Sequence, residues 1–314
     1  MDNTVNFVYA ADENYNKQLL VSINSLLNKF SGLAKIHIIH KNTETIEQSI
    51  SIFKEFKNLE DIKIYQFIKE DHDFPNIENS HISEATYYRL YIDKYVSNDI
   101  ENYIYLDADI VCISDPLDEI KKTFDSLNAS EYSIAARTEL LKANNELKFS
   151  NLGISRDKYF NAGVIFVKNS HWIKNDLYLK VLNHIEVIKE KIEFWDQDVL
   201  NSFFNGNYME LDKKLNYDID VSKSINSNYE ISSNSVFLHY QGSNKPWNIN
   251  GSINENSMFY NKEFFTLFNN YYHIVSNYSK GDILNLIKII FTLKILFIKK
   301  PLNFLKQALK GIYK

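Results

Sequence analysis

Two acidic side chains set the chemistry available to this chain. Asp107 and Asp109 lie two positions apart in the run Tyr103-Ile-Tyr-Leu-Asp-Ala-Asp-Ile-Val111. Five of these nine residues are β-branched or aromatic, which favours a strand over a helix. Side chains at i and i+2 of extended chain leave the same face, so both carboxylates can reach one hard divalent cation. Burying them at a strand end is costly unless a cation or a hydrogen-bond network compensates. An Asx-type turn closing the strand explains the same spacing, so the pair alone leaves both readings open.

The elements around the pair alternate in type. Val5 to Ala11 reads as a buried strand, followed by an amphipathic helix with Leu19, Leu20, Ile23, Leu26 and Leu27 on one face. Lys35 to His40 is a second strand, and Asn42 and Thr43 cap a helix carrying Ile46, Ile50, Phe53 and Phe56. Ile62 to Ile68 forms a third strand. A loop containing Pro75 and a helix from about Ser83 to Val96 then lead to the acidic strand. This alternation predicts βαβ units in a mostly parallel, doubly wound sheet, whose ligands sit outside the carboxyl ends of the strands. Asp12 and the Asp107/Asp109 pair both fall at that edge. Neither G-x-G-x-x-G nor a Walker-type lysine motif occurs, so a metal is the remaining way to neutralise a diphosphate.

Further on, the pattern predicts a helix near Leu117 to Leu127 and a strand near Tyr132 to Ala136. The polar segment Thr138 to Asp157 reads as a mobile loop or small helical lid. A strand from Tyr159 to Val167 follows, then a helix from His171-Trp172 to about Ile192 and another starting at Phe194-Trp-Asp-Gln-Asp. Val236 to His239 is a strand running into Tyr240-Gln-Gly-Ser-Asn-Lys-Pro-Trp247.

With 314 residues, 45% of them hydrophobic, the chain can bury one large α/β domain with an appendage, divided here as residues 1–279 and 280–314. Eight Gly and four Pro exclude a linker-rich or low-complexity protein. The single Cys112 excludes an internal disulfide and suits a reducing compartment, where it reads as a small buried hydrophobe. A net charge of -5 gives no reason to expect nucleic acid. No charged and apolar leader of secretory type opens the chain.

Six blocks, in order from Phe7 to Trp247, resemble the metal-dependent retaining glycosyltransferases of family 8, in particular the bacterial lipooligosaccharide and lipopolysaccharide galactosyltransferases. They are Ala-Ala-Asp12-Glu-Asn14-Tyr15, Thr86-Tyr-Tyr-Arg89-Leu, Tyr105-Leu-Asp107-Ala108-Asp109, Phe160-Asn161-Ala-Gly163, Asp196-Gln197-Asp198 and His239-Tyr-Gln-Gly242-Ser-Asn-Lys245-Pro-Trp247. The resemblance implies a GT-A fold, a UDP-hexose donor (galactose or glucose), a glycan acceptor and Mn²⁺. It makes His239 a third metal ligand beside Asp107 and Asp109, although a histidine on an apolar strand is by itself more often a core residue. A mixed carboxylate and imidazole shell suits Mn²⁺ better than Mg²⁺, with Mg²⁺ still admissible.

By the same resemblance Lys245 and Gly242 meet the donor phosphate, and Asp12, Asn14 and Tyr15 hold uracil and ribose. Arg89 clamps the donor sugar and its neighbouring carboxylates, and Ala108, Asn161 and Gly163 complete the pocket. Asp196 takes a sugar hydroxyl, and Gln197 stands nearest the anomeric carbon. Read without the family, Asp12 is a helix cap, Lys245 a solvated surface cation and Asp196 an acid favouring a helix dipole. An amide is a poor nucleophile, so the expected route is front-face transfer, with the Gln197 carbonyl oxygen stabilising oxocarbenium-like charge. The family pattern has an acidic residue just after the Ala-rich strand, where this chain has Ala136-Arg137-Thr138.

From Lys280 to Lys314 there are eight Lys against one Asp. Ile283 to Ile298 is too short, and with Lys288 and Lys294 too charged, to span a bilayer. It reads as a basic amphipathic helix, followed by a second one, lying on an anionic membrane; packing on the core is the competing account. The expected location is cytoplasmic, peripheral on the inner face of the cytoplasmic membrane. Two other functions fit less of the pattern. A sugar-nucleotide-binding or self-glycosylating protein does not use the full residue set, and a nucleotidyltransferase needs a basic loop where Ala10-Ala-Asp12 stands.

Overall fold

The computed structural model describes residues 3–69, 74–75, 83–222, 231, 233, 235–275 and 280–312. Its strands are β1 (Thr4–Ala11), β2 (Leu33–His40), β3 (Leu59–Gln66), β4 (Asn102–Leu106), β5 (Ile110–Cys112), β6 (Ile134–Leu141), β7 (Lys158–Lys168), β8 (Met209–Glu210), β9 (Tyr217–Asp218) and β10 (Phe237–His239). Seven form one sheet in the order β3-β2-β1-β4-β7-β6-β8, and three form a small sheet in the order β5-β10-β9. In the large sheet only β7 runs antiparallel to its neighbours, so the mostly parallel expectation holds.

Helices cover both faces of the large sheet, which is why β1 is nearly all apolar. Its Phe7, Tyr9 and Ala11 enter one buried cluster, while Val8 and Ala10 enter another. The helix Asn16–Lys29 seats Leu19, Leu20, Ile23, Leu26 and Leu27 in the first of these clusters, as its spacing requires. Burial of each large apolar side chain contributes about 1.5–3 kcal/mol.

Several elements differ from expectation. The acidic strand is not continuous. β4 stops at Leu106, the Ile110 N–H donates to the Asp107 carbonyl at 3.2 Å, and β5 leaves for the small sheet. The aspartates therefore flank a turn and do not share one face of a strand. The helix expected over Ser83 to Val96 is 3₁₀ across Glu84–Lys94, and that expected over Asn42 to Phe56 breaks into turns at Thr43–Thr45, Glu47–Ile50 and Ser51–Glu55. Left-handed Asp176 divides the helix from His171 into Asn169–Lys174 and Leu177–Ile188. The start of the polar segment after Thr138 extends β6, because Glu210 and Tyr208 satisfy Thr138; a helix at Glu146–Asn151 follows. Most of the loop about Pro75 lies outside the described residues.

The C-terminal segment forms two helices, Lys280–Phe291 and Pro301–Ile312, joined through left-handed Leu293 and Lys300. Leu286, Ile289, Phe304 and Ala308 pack on Ile249 and Tyr272 of the body. Among the described residues no helix is long and apolar enough to cross a membrane.

Candidate active site

Antiparallel pairing of β5 with β10 sets Ile110 opposite His239, and this register carries the imidazole to the Asp107–Asp109 turn. One donor atom from each of Asp107, Asp109 and His239 lies within 4.8 Å of the others. They stand on a cavity of about 550 Å³ at the carboxyl ends of β1 and β4. Asp12, Tyr15, Arg89, Ala108, Asn161, Gly163, Asp196, Gln197, Gly242 and Lys245 line the same cavity. Asn14 does not: it is exposed, and its N–H donates to Asp12 Oδ1 at 2.9 Å. Asp12 is thus both the cap of its turn and part of the wall. Tyr15 stands edge-on to Trp247, with centroids 6.0 Å apart.

A chain of hydrogen bonds decides which histidine nitrogen faces the aspartates. The Gly163 backbone N–H donates to Asn161 Oδ1 at 3.0 Å, which fixes that atom as oxygen. The same oxygen lies 3.0 Å from Asn216 Nδ2, so the Asn216 oxygen faces His239 Nδ1, also at 3.0 Å. Nδ1 is therefore the nitrogen that donates to Asn216, and Nε2 is the one turned to the aspartates. Nε2 stands 3.4 Å from Asp109 Oδ1, a buried carboxylate oxygen with no hydrogen-bond partner. With Asp107, these two atoms form a buried carboxylate and imidazole donor set whose second imidazole nitrogen is held by Asn216, so these residues fit a divalent metal. Gly163 is part of the fit, since a Cβ there would lie 2.2 Å from His239 Cε1.

Two cations, Lys245 and Arg89, offset part of the acidic charge lining the site. Burial, the largest single influence, would raise the Asp109 pKa, but the Lys245 ammonium at 2.6 Å and the His239 imidazole together outweigh it and hold the carboxyl well below the usual carboxylate range. Lys245 also donates to the Tyr240 carbonyl. Arg89, buried on the 3₁₀ helix, pairs with Asp107 and Asp196 at 2.8 Å each, donates to the Ala162 carbonyl and lies over the Tyr105 ring. Burial still pushes Asp196 up to about 6, against the pull of Arg89 and a hydrogen bond from Thr86.

Gln197 is held on both sides of its amide. Its Oε1 accepts from the Ala162 N–H at 3.0 Å, and its Nε2 donates to Glu139 at 3.2 Å and to the Tyr159 hydroxyl at 3.3 Å. Trp195, just before the Asp196-Gln197 pair, has φ 43°, a left-handed conformation uncommon for a bulky residue.

Sequence reasoning missed Glu139, Asn216 and Trp195. Glu139 lines the cavity and reaches both Gln197 and Asn161; it lies within β6, three positions beyond Ala136. β6 shifts register against β7 on both sides of Arg137-Thr138. Asn216 carries no local signal; only its place beneath His239 reveals it.

Comparison with known proteins agrees with this architecture. Residues 6–251 match the family model Glycosyl transferase family 8. A lipopolysaccharide 1,2-glucosyltransferase of Escherichia coli is 29% identical over 265 residues, covering 78% of this chain and 73% of the relative. General stress protein A of Bacillus subtilis is 27% identical, covering 79% and 89%. The crystal structure of the galactosyltransferase LgtC with donor and acceptor sugar analogues superposes with a TM-score of 0.68 at 21% identity, covering 88% of this chain and all of that one. The GT-A fold is shared.

Proposed function

The chain belongs to glycosyl transferase family 8, and from that membership we propose that it transfers a hexose from a UDP-sugar to a glycan acceptor with retention of anomeric configuration. The observation that carries the reading is the cluster of Asp109 Oδ1, His239 Nε2 and Asp107, whose ligand atoms lie within 4.8 Å of one another at the cavity wall. Mn²⁺ is the proposed ion, with Asp107, Asp109 and His239 as its protein ligands. When bound, such an ion draws negative charge off the diphosphate as a Lewis acid.

The chain's own residues account for the other parts of the reaction. Asp12 and Tyr15 border the place for the nucleoside, and left-handed Gly242 (φ 75°) lets backbone approach a phosphate closely. Lys245 turns from Asp109 to the leaving diphosphate and stabilises its charge. Arg89 and Asp196 fix the sugar. Its C1–O bond breaks with the electron pair leaving on UDP. The acceptor oxygen bonds C1 on the same face, and its proton passes to the departing phosphate oxygen. Oε1 of Gln197 keeps a second lone pair for the developing positive charge at C1.

The E. coli relative's name favours a lipopolysaccharide-type acceptor. The C-terminal helices favour an inner-face membrane location: Phe291 and Phe297 are 82% and 90% exposed, among exposed Lys288, Lys294, Lys299 and Lys300.

UDP release from a panel of UDP-sugars, with Mn²⁺ or Mg²⁺ and with or without acceptor, tests the reaction. Asp109→Asn is expected to stay folded and lose metal-dependent turnover. Full turnover in that variant would refute the metal assignment.

A further inference from the structure

A second cavity, about 1160 Å³ and larger than the first, lies between the C-terminal helices and the body. Its wall is unlike the donor site. Lys262, Lys288, Lys294 and Lys299 line it against two acids, Glu255 and Asp282, which leaves a formal excess of two positive charges. Asparagine amides from both the body and the tail, among them Asn248, Asn261 and Asn285, supply further donors and acceptors. Asn261 is anchored at the wall, where its Nδ2 donates to the Ser252 carbonyl at 3.1 Å. Such a mixture of ammonium and amide groups around one concavity is suited to a ligand bearing both anionic oxygens and hydroxyls.

The two cavities share a partition. Ser243 and Lys245 line the donor site, while Asn244, Asn248 and Gly251 line the second. The partition is tight. The Asn248 N–H donates to the Lys245 carbonyl at 3.0 Å, and a Cβ on Gly251 would lie 2.0 Å from the same oxygen. A ligand in the second cavity therefore rests against the loop that presents the proposed phosphate lysine.

We infer that this second cavity binds a phosphate-bearing saccharide portion of the acceptor, holding the anionic part of the glycan while its free end reaches the donor. The inference rests on the transferase reading above for the word acceptor, though not for the binding itself. The apolar faces around Phe291 and Phe297 then lie beside this site, where the acyl part of a glycolipid would continue.

The test uses the full chain and a soluble probe, a glucosamine disaccharide bisphosphate without acyl chains, followed by isothermal titration calorimetry. Wild type is expected to bind it saturably. A Lys262→Gln/Lys288→Gln double variant is expected to bind it at least roughly tenfold more weakly, and the Lys→Arg counterpart to retain affinity. The unphosphorylated disaccharide is expected to bind at least about tenfold more weakly than the bisphosphate. Both lysines are exposed, so neutralisation leaves the core intact, and unchanged binding of UDP with Mn²⁺ reports an intact donor site. Equal affinity in wild type and the Gln variant overturns the inference. So does binding only to phosphatidylglycerol vesicles, which would make this face a membrane contact without a saccharide site. Loss of UDP and Mn²⁺ binding in wild type strikes the transferase reading instead, and leaves the calorimetric result on the disaccharide to stand separately.

Discussion

A single methyl group at Gly163 should disable the metal site without touching a ligand. On Gly163 a Cβ would lie 2.2 Å from His239 Cε1 and 2.9 Å from each ring nitrogen. The shortest contact is thus 1.2 Å inside the 3.4 Å at which ordinary contact begins. The strand cannot withdraw. The Gly163 carbonyl accepts from the Asp107 N–H at 2.9 Å, its N–H is held by Asn161, and Val164 is in register with Leu106 of β4. The imidazole must give way, and in doing so it leaves Asn216 and turns Nε2 from Asp109. Overpacking of this kind costs about 1–3 kcal/mol, and the lost hydrogen bond about 1 kcal/mol more. At about 2–4 °C per kcal/mol the melting midpoint should fall by roughly 4–16 °C. A mispositioned ligand should weaken metal binding by roughly 10–100-fold. Paramagnetic resonance of free Mn²⁺, titrated with Gly163→Ala in the presence of UDP, reads the affinity, and circular dichroism reads the fold. Gly153→Ala is the control, since Gly153 is left-handed (φ 70°), which Gly163 is not, and has nothing within 4 Å of a Cβ, so a methyl there strains the backbone without a clash. It should lose about 1–2 kcal/mol of stability and no metal affinity. A folded Gly163→Ala protein with wild-type Mn²⁺ affinity would refute both the role of His239 and the steric argument.

Other perturbations test the rest of the framework. Arg89→Met strands Asp107 and Asp196 and should cost about 3–5 kcal/mol in urea unfolding at pH 8. The deficit should shrink towards pH 5, because Asp196, already raised by burial to about 6, takes up a proton more readily once the guanidinium is gone; an equal deficit at both pH values counts against the buried triad. His37 is lowered to about 4, first by burial and then by Lys63. The folded state thus refuses a proton that the unfolded chain accepts below about 6.5. Stability from this source is complete above that pH and falls by roughly 2–3 kcal/mol on acidification to about 4, so the stability difference between wild type and His37→Gln should change by that amount across the window, and a constant difference would dismiss the assignment. Phe291→Glu/Phe297→Glu should reduce sedimentation with phosphatidylglycerol vesicles by at least roughly fivefold with no change in melting midpoint, because both rings are exposed; undiminished sedimentation would remove the tail as the anchor.

Much of this protein is legible one segment at a time. The strands β1, β2 and β7 announce themselves as apolar runs, the helix Asn16–Lys29 by its 3.6-residue stripe, and the acids of the site by their spacing. Local pattern did less well where a hydrogen bond from a distant residue outbid it. The polar Thr138 region joins β6 because Glu210 and Tyr208 supply partners from about seventy positions away, and the expected helices at Asn42 and His171 break where no pattern marks a break. The tail lysines are plain in the composition, but the division into two helices with a cavity beneath them is not.

The chain alone determined which groups could bind a cation, because carboxylate, imidazole and ammonium chemistry belongs to residue type. Only the tertiary structure decided how they meet. The turn that breaks the acidic strand sends β5 to β10, and that pairing closes 130 residues of chain between Asp109 and His239. Asn216, from yet another element, then settles which nitrogen faces the acids. Periodicity describes neighbours along the backbone, whereas a coordination site is a set of distances between residues far apart in it.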